Sequence, residues 1–231
     1  WIDDNGRPID TAHVVAFQLF RAKPAEAAHM RLHGAWLEKR PAPDEIGPFV
    51  DRFGQFTDER WPGKLENEAE LGQRLDAEIH DLAAHPPPAD QNRFGGWASG
   101  PRLQATGRFW VTRHDGKWWF VDPEGCLFWS AGITGLRAES GGPMLGREAC
   151  FAWLPEPDDP LRRFYRTQGR GWVDFFAMNL VRKYGDDLEQ AFAEISVKRL
   201  RSWGMNTIGN WSDKRSWDLK QVPYTVPVHY S

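Results

Sequence analysis

The pattern of apolar and polar positions divides the chain into a β-rich start, an irregular middle and a final alternation of strands and helices. Residues 13–20 are β-branched and aromatic, which predicts a strand. Residues 29–38 partly alternate and are interpreted as its antiparallel neighbour. Together they indicate the last part of a β-sandwich. Residues 39–66 are rich in proline and glycine, which favours an irregular linker.

A helix is predicted directly after this linker. Asn67 and Glu70 have the spacing of a capping box, in which each side chain bonds a backbone N–H at the helix start. Apolar residues then repeat at the spacing of one helical face, at Leu71, Leu75, Ile79 and Leu82. Three prolines after His85 end the helix because proline lacks the backbone N–H that a helix needs.

The next segment predicts a hairpin followed by a buried strand. Asp115-Gly116 separates two strand-like runs, and this dipeptide is a strong signal for a two-residue hairpin turn. Pro123-Glu124-Gly125 predicts a second turn. The apolar run from Cys126 to Ile133 is typical of a buried parallel strand.

Helices and strands then alternate. Residues 138–170 form a long irregular insertion, and such loops are usually functional. Residues 173–184 and 187–203 predict helices, and Gly204 ends the second because a C-terminal cap favours a left-handed residue. Strands follow at 205–209 and 222–231. The order predicts an α/β fold with the first strands of a (β/α)8 TIM barrel. Because such a barrel needs about 250 residues, we expect the chain to be part of a longer protein.

Composition narrows the function. The chain has 231 residues, a net charge of −3 and 13 tryptophans. The charge and the lack of a basic face argue against nucleic acid as a partner, and no apolar run predicts a membrane helix. Two cysteines make neither a disulfide framework nor a zinc motif. The excess of tryptophan favours aromatic surfaces that bind an amphipathic ligand.

The candidate site lies at the carboxyl ends of the predicted strands, where ligands bind in parallel α/β folds. The strand at 205–209 is followed by polar and aromatic residues: Asn210, Trp211, Ser212 and Asp213. Tryptophan beside hydrogen-bonding side chains suits a sugar ring, which has an apolar C–H face and a hydroxyl edge. Asn210 and Trp211 are the leading substrate contacts. The alternatives are packing by Trp211 and capping by Asn210, and Ser212 and Asp213 equally fit the N-cap of a following helix.

Three more residues are candidate sugar contacts. Thr134 and Arg137 follow the first predicted barrel strand, and Trp153 lies in the long insertion. Arg137 also fits an ion pair, and Trp153 also fits a contact that attaches the loop to the barrel. Four carboxylates fit solvated turns better than catalysis: Asp122, Glu124, Asp158 and Asp159. His29 and His33 lack a third ligand, so neither a metal nor another cofactor is predicted.

Three stretches together resemble the glycoside hydrolase family 50 β-agarases. The first is Gly54-Gln55 with Trp61-Pro62-Gly63-Lys64. The second is Thr106-Gly107-Arg108-Phe109 with the run from Gly116 to Gly125. The third is Arg182-Lys183-Tyr184-Gly185 with the run from Trp203 to Asp213. Their joint order and spacing make a chance match improbable.

The resemblance implies a β-sandwich, of the jelly-roll or carbohydrate-binding type, that leads into a (β/α)8 glycosidase barrel. The expected divisions are residues 1–45 for the sandwich, 46–106 for a linker with one helix and 107–231 for the first part of the barrel. It also implies a retaining enzyme that cleaves β-1,4 bonds in agarose-type galactans with two glutamates. Those glutamates belong to later strands, so no catalytic residue is expected in this chain.

Two other functions fit the same elements. One is a non-catalytic carbohydrate-binding module, and the other is a barrel glycosidase that acts on a different polysaccharide. The expected partner is in each case a polysaccharide or oligosaccharide, with no nucleic acid and no membrane. The resemblance implies a secreted or periplasmic protein.

Overall fold

The computed structural model describes residues 47–169 and 171–228, so the sandwich predicted for residues 1–45 lies outside the described residues. The helices are α1 (Ala69–Ala84), α2 (Phe175–Tyr184), α3 (Leu188–Ser202) and α4 (Lys214–Asp218). The strands are β1 (Trp110–His114), β2 (Lys117–Val121), β3 (Leu127–Phe128), β4 (Gly132–Ile133), β5 (Tyr165–Arg166), β6 (Trp172–Val173) and β7 (Thr207–Ile208). Two short 3₁₀ turns lie in the long insertion, at Glu148–Cys150 and Pro160–Phe164.

Three segments run side by side in the same direction. β4 pairs in parallel with β7, and Ile208 of β7 forms a further parallel bridge to Tyr224. The connection from β4 to β7 passes through α2 and α3, and Val197 and Leu200 of α3 pack against Ile208 in a buried cluster. The mixed α/β class predicted from the sequence is confirmed, as is the parallel alignment of these segments.

The predicted hairpin is present. β1 and β2 pair antiparallel, with His114 opposite Lys117, so that Asp115 and Gly116 alone form the turn. Both turn residues have positive φ, 48° for Asp115 and 76° for Gly116. This is the combination that a type I′ turn needs, and it explains why glycine follows aspartate here.

The single buried strand predicted for Cys126–Ile133 is wrong, because the run is split into two strands. β3 pairs antiparallel with β2, whereas β4 belongs to the parallel pair with β7. The buried side chain of Asn206 occupies the break: its amide donates to the Trp129 carbonyl at 2.9 Å and its Oδ1 accepts the Ala131 N–H at 2.9 Å. The Asn206 side chain therefore provides the hydrogen bonds that these two backbone groups would otherwise make to a neighbouring strand.

The helix ends follow the sequence closely. α3 ends with Gly204 at φ 73°, the Met205 N–H bonds the Leu200 carbonyl, and the Gly204 N–H bonds the Arg201 carbonyl. These two bonds define a Schellman motif. At α1 the predicted capping box is only half formed: the Asn67 side chain accepts the Glu70 N–H at 3.3 Å, but the Glu70 carboxylate accepts the Glu66 N–H and the Asn67 side-chain amide instead of the Asn67 N–H.

One part of the prediction for α1 is wrong. Ile79 is exposed, whereas the neighbouring Glu78 side chain faces the interior and is largely buried. The reason is chemical, because Glu78 bonds groups on α2 and α3 that apolar periodicity does not reveal. In the part of the chain that the structure describes, no helix is long and apolar enough to cross a membrane.

Candidate functional site

The carboxyl ends of β4 and β7 are joined by backbone hydrogen bonds. Beyond β7, the Gly209 N–H donates to the Ile133 carbonyl at 2.7 Å. One residue further, the Gly135 N–H donates to the Asn210 carbonyl at 2.8 Å. The residues that follow the two strands therefore form one continuous surface, which brings Thr134 and Arg137 next to the Asn210–Asp213 segment.

Ser212 connects the two segments through its side chain. The buried Ser212 hydroxyl donates to the Gly209 carbonyl at 2.8 Å and accepts the Leu136 N–H at 3.1 Å. Asp213 continues the connection with its N–H on the Leu136 carbonyl, at 2.8 Å. Its carboxylate accepts the Arg215 N–H at 2.8 Å and is the N-cap of α4. Asp213 is therefore the N-cap that the sequence left open as an alternative, whereas Ser212 joins the segments that follow β4 and β7.

Trp211 projects from this surface. Its φ is +61°, a left-handed conformation that is rare for a bulky residue, and its side chain is 69% exposed. Such a conformation costs about 1–3 kcal/mol and persists only where the surroundings impose it. Here the carbonyl of Asn210 before it and the hydroxyl of Ser212 after it are both bonded to the 135–136 backbone. These bonds fix the chain on both sides of Trp211 and direct its indole outwards.

Asn210 is oriented by the third parallel segment. The Thr225 hydroxyl donates to Asn210 Oδ1 at 3.1 Å, and the Thr225 N–H bonds the Ile208 carbonyl at 2.9 Å. With its oxygen engaged, the Asn210 amide directs its NH₂ group away from Thr225. Thr225 is a site residue that sequence reasoning missed, since no local signal links positions 15 residues apart.

Arg137 and Trp153 have different surroundings. Arg137 is exposed and pairs with Glu139 at 3.6 Å, so its guanidinium stays available at the surface. Trp153 lies against Arg52 and Arg182, whose guanidinium carbons are 5.7 and 5.4 Å from its ring centre. Because Arg182 belongs to α2, Trp153 attaches the long insertion to that helix, and it does not share the contacts that hold Asn210 and Trp211.

The turn carboxylates are structural. Asp122 is fully buried rather than solvated, which corrects the sequence interpretation. It accepts the Asn92 amide at 2.6 Å and the N–H groups of Glu124 and Cys126 at 2.9 and 3.0 Å. Glu124 bonds the same Asn92 amide at 3.0 Å. Asp159 accepts the Leu161 N–H at 2.8 Å and begins a 3₁₀ turn. Within residues 47–169 and 171–228, no group of three or more His, Cys, Asp or Glu residues is arranged to hold a metal ion.

A second polar cluster connects three helices. Glu78 of α1 accepts hydrogen bonds from Lys183 and Tyr184 at the end of α2, and pairs with Arg199 of α3. Burial alone would raise the pKa of Glu78, but these hydrogen bonds and the two positive charges hold it below its usual value. Burial, together with the bond to Glu78, raises the pKa of Tyr184 well above its usual range. The cluster lies among helices, away from the strand ends, and stabilises their packing.

A cavity of about 700 Å³ adjoins the parallel segments. It is lined by aromatic side chains that include Phe94, Phe109, Phe120, Phe128 and Tyr224. It also contains Ser130 and Thr207, which precede Ile133 and Ile208 along their strands. The lining also includes Thr225, whose hydroxyl bonds Asn210, so the cavity extends to the segment that orients the candidate site. Because ligands bind at the carboxyl ends of parallel strands, the candidate site is the surface around Trp211.

Two curated proteins from Vibrio sp. (strain JT0107) are similar to this chain, although no protein-family model matches it. Beta-agarase B is 31% identical over 257 residues, which cover 95% of this chain and 26% of that protein. Beta-agarase A is 30% identical over 199 residues, which cover 77% of this chain and 19% of that protein.

Solved agarase structures share the fold. PfGH50B superimposes with a TM-score of 0.72 and 32% identity, over 78% of this chain and 31% of that structure. The agarase AgWH50C superimposes with a TM-score of 0.71 and 33% identity, over 79% of this chain and 30% of that structure. An exo-beta-agarase superimposes with a TM-score of 0.73 and 26% identity, over 82% of this chain and 32% of that structure. The chain therefore spans about a quarter or less of the curated relatives and about a third of the solved structures.

Proposed function

Since the chain is a homologue of the GH50-type β-agarases, we propose that it forms part of a glycoside hydrolase acting on agarose-type galactans. We assign β4, β7 and the segment at Tyr224 to the first strands of a (β/α)8 barrel within residues 107–231. Residues 46–106 lead into that barrel, and residues 1–45 are assigned to a β-sandwich of the carbohydrate-binding type. Because an agarose chain is too large to enter a cell, the proposed place of action is outside the cytoplasm.

The observation that supports a sugar-binding role is the outward position of Trp211. An indole that is 69% exposed and held at φ +61° contributes little to the core by its own packing. It offers an apolar face for the C–H groups of a pyranose ring, while the Asn210 amide beside it offers donors to the hydroxyl edge. Thr134 completes this proposed surface from the end of β4, where its methyl group packs close to Gly209.

In the proposed enzyme, the residues that cleave the glycosidic bond lie outside this chain. A retaining glycosidase uses one carboxylic acid to protonate the leaving oxygen and a second carboxylate, about 5–5.5 Å away, to attack the anomeric carbon. In this proposal both glutamates stand on later strands of the barrel and cleave a β-1,4 bond. The residues around Trp211 hold the sugar in the orientation that those groups require.

The proposal is tested with Trp211→Ala in the present chain. Loss of the stacking surface is expected to weaken binding of agarose-derived oligosaccharides by about 1–3 kcal/mol, as for other exposed aromatic contacts. The measurement is the Kd by isothermal titration calorimetry. Trp203→Ala is the matched control, because Trp203 is 56% exposed and precedes β7, whereas Trp211 follows it. Equal Kd values for Trp211→Ala and the wild type would contradict the role of Trp211.

The substrate class is tested separately with a polypeptide of the length of the agarase relatives. Such a protein containing this chain is expected to release oligosaccharides from agarose. Hydrolysis of an unrelated glycan alone would contradict the galactan assignment and leave the binding surface standing. Binding without hydrolysis of any glycan would instead favour a non-catalytic carbohydrate-binding module.

A further inference from the structure

A cleft of about 640 Å³ adjoins the Trp211 surface. One wall is the segment that follows β4, with Arg137 and Glu139, and the opposite wall is the β5–β6 ribbon, with Arg166 and Trp172. Gly135 also lines the cleft, and its N–H bonds the Asn210 carbonyl at 2.8 Å. The cleft is therefore continuous with the residues that hold Trp211.

Trp172 is fixed in the wall of this cleft. The next residue, Val173, exchanges two backbone hydrogen bonds of 3.0 Å with Gly142. A Cβ on Gly141 would lie 2.2 Å from Trp172 Nε1, so the indole packs directly against the Gly141 backbone. The side chain remains 38% exposed towards the cleft. Its ring thus has one part held by the protein and another part open to a ligand.

The cleft combines an apolar surface with charged groups. Phe176 lies on the apolar side and packs edge-on against Phe192, with ring centres 5.9 Å apart. Arg137 and Glu139 supply donors and acceptors at the rim, 3.6 Å from one another. A wholly apolar ligand would remove water from these charges without replacing their hydrogen bonds. A saccharide can place its C–H face on the apolar side and its hydroxyls at the charged rim. The volume of the cleft is in the usual range for small-ligand sites.

We propose that this cleft is a second saccharide subsite, in which Trp172 stacks on a sugar ring and Arg137 and Glu139 bond its hydroxyls. It rests on the proposed function, since the same oligosaccharide would cross from Trp211 past Gly135 into the cleft. Neither Trp172 nor Phe176 stands out in the sequence, because both lie where the chain pattern indicates only loop and helix start.

The test measures Kd for an agarose-derived hexasaccharide on the full chain. Trp172→Ala is expected to raise this Kd about tenfold, and Trp172→Phe to restore most of the affinity because it keeps an aromatic face. Arg137→Ala, which leaves the Gly141 contact untouched, is expected to raise the Kd severalfold. Trp203→Ala is the control, and unchanged melting temperatures show that the variants fold.

The outcomes separate the two proposals. If folded Trp172→Ala and Arg137→Ala bind the hexasaccharide as the wild type does, the cleft is not a subsite; if Trp211→Ala still weakens binding, the proposed function stands. If the wild type binds a cello-oligosaccharide but no agarose-derived sugar, and Trp172→Ala loses that binding, the subsite stands and the galactan assignment falls. Binding of neither sugar to the wild type overturns both.

Discussion

Removing the Glu78 carboxylate is expected to destabilise the fold strongly, because one side chain connects three helices. Its Oε2 accepts the Lys183 ammonium at 2.7 Å and the Tyr184 hydroxyl at 2.6 Å, and its Oε1 pairs with Arg199. The Glu78 side chain is only 10% exposed. Glu78→Ala would leave two cations and a hydroxyl without their shared partner.

The magnitude follows from the burial of these partners. Breaking a fully buried ion pair from one side costs about 3–5 kcal/mol. The Lys183 and Arg199 side chains keep 17% and 29% of their exposure, so water replaces part of what is lost. We therefore expect a loss of about 2–3 kcal/mol for Glu78→Ala. For a chain of this size that lowers Tm by about 4–12 °C.

The assay is thermal unfolding followed by circular dichroism. Glu66→Ala is the matched control, since Glu66 pairs with Arg60 at 3.4 Å in an exposed pair and should change the free energy of unfolding by less than about 1 kcal/mol. A Tm for Glu78→Ala equal to that of Glu66→Ala would refute the reasoning, because the cluster would then contribute no more than a surface ion pair.

The same cluster predicts a pH dependence of the free energy of unfolding. Hydrogen bonds and two positive charges outweigh burial and hold the pKa of Glu78 below its usual value. A carboxylate with a lowered folded-state pKa stabilises the protein fully above its unfolded pKa of about 4.3, and the stabilisation is lost as the pH falls through the folded pKa. The difference between wild type and Glu78→Gln should therefore shrink below about pH 4. A difference that stays constant down to pH 3 or so would contradict this assignment.

Two further substitutions test the parallel pair and the buried turn. Gly132→Ala would place a Cβ 1.6 Å from the Thr207 carbonyl oxygen and is expected to disrupt the β4–β7 pair. The control is Gly142→Ala, because a Cβ at Gly142 would have no atom within 4 Å. The Tm of Gly132→Ala is expected to be lower than that of Gly142→Ala. Asp122→Ala leaves the N–H groups of Glu124 and Cys126 without their side-chain acceptor, and the Asn92 amide keeps only its bond to Glu124 as a carboxylate partner. The substitution is expected to cost about 2–3 kcal/mol in denaturant unfolding. Equal stability of Asp122→Ala and Glu124→Ala would contradict the role of the buried carboxylate.

Local signals in the sequence predicted the local structure. The Asp115-Gly116 turn, the bond of the Asn67 side chain to the Glu70 N–H and the Gly204 cap all depend on residues within a few positions of one another. These features are encoded in short segments because backbone dihedrals and end-of-helix hydrogen bonds are satisfied by near neighbours. The parallel alignment of β4 with β7 also followed from the order of strands and helices.

Long-range contacts decided what the sequence could not predict. The break between β3 and β4 depends on Asn206, which lies about 75 positions further along the chain. Glu78 faces the protein because Lys183 and Arg199 are more than 100 positions away. In each case a polar group with a distant partner overrides the apolar pattern, because leaving that group unpaired would cost more than exposing one aliphatic side chain such as Ile79.

The site is built by the same kind of long-range contact, and this bears on how it binds. Leu136 and Gly135 supply the bonds that force Trp211 outwards, and Gly135 also lines the cleft of Trp172. The loop after β4 is therefore a common support for both proposed sugar contacts. Because that support consists of hydrogen bonds within the chain, a bound oligosaccharide need not order the indole of Trp211, and less of its binding free energy is lost to conformational entropy.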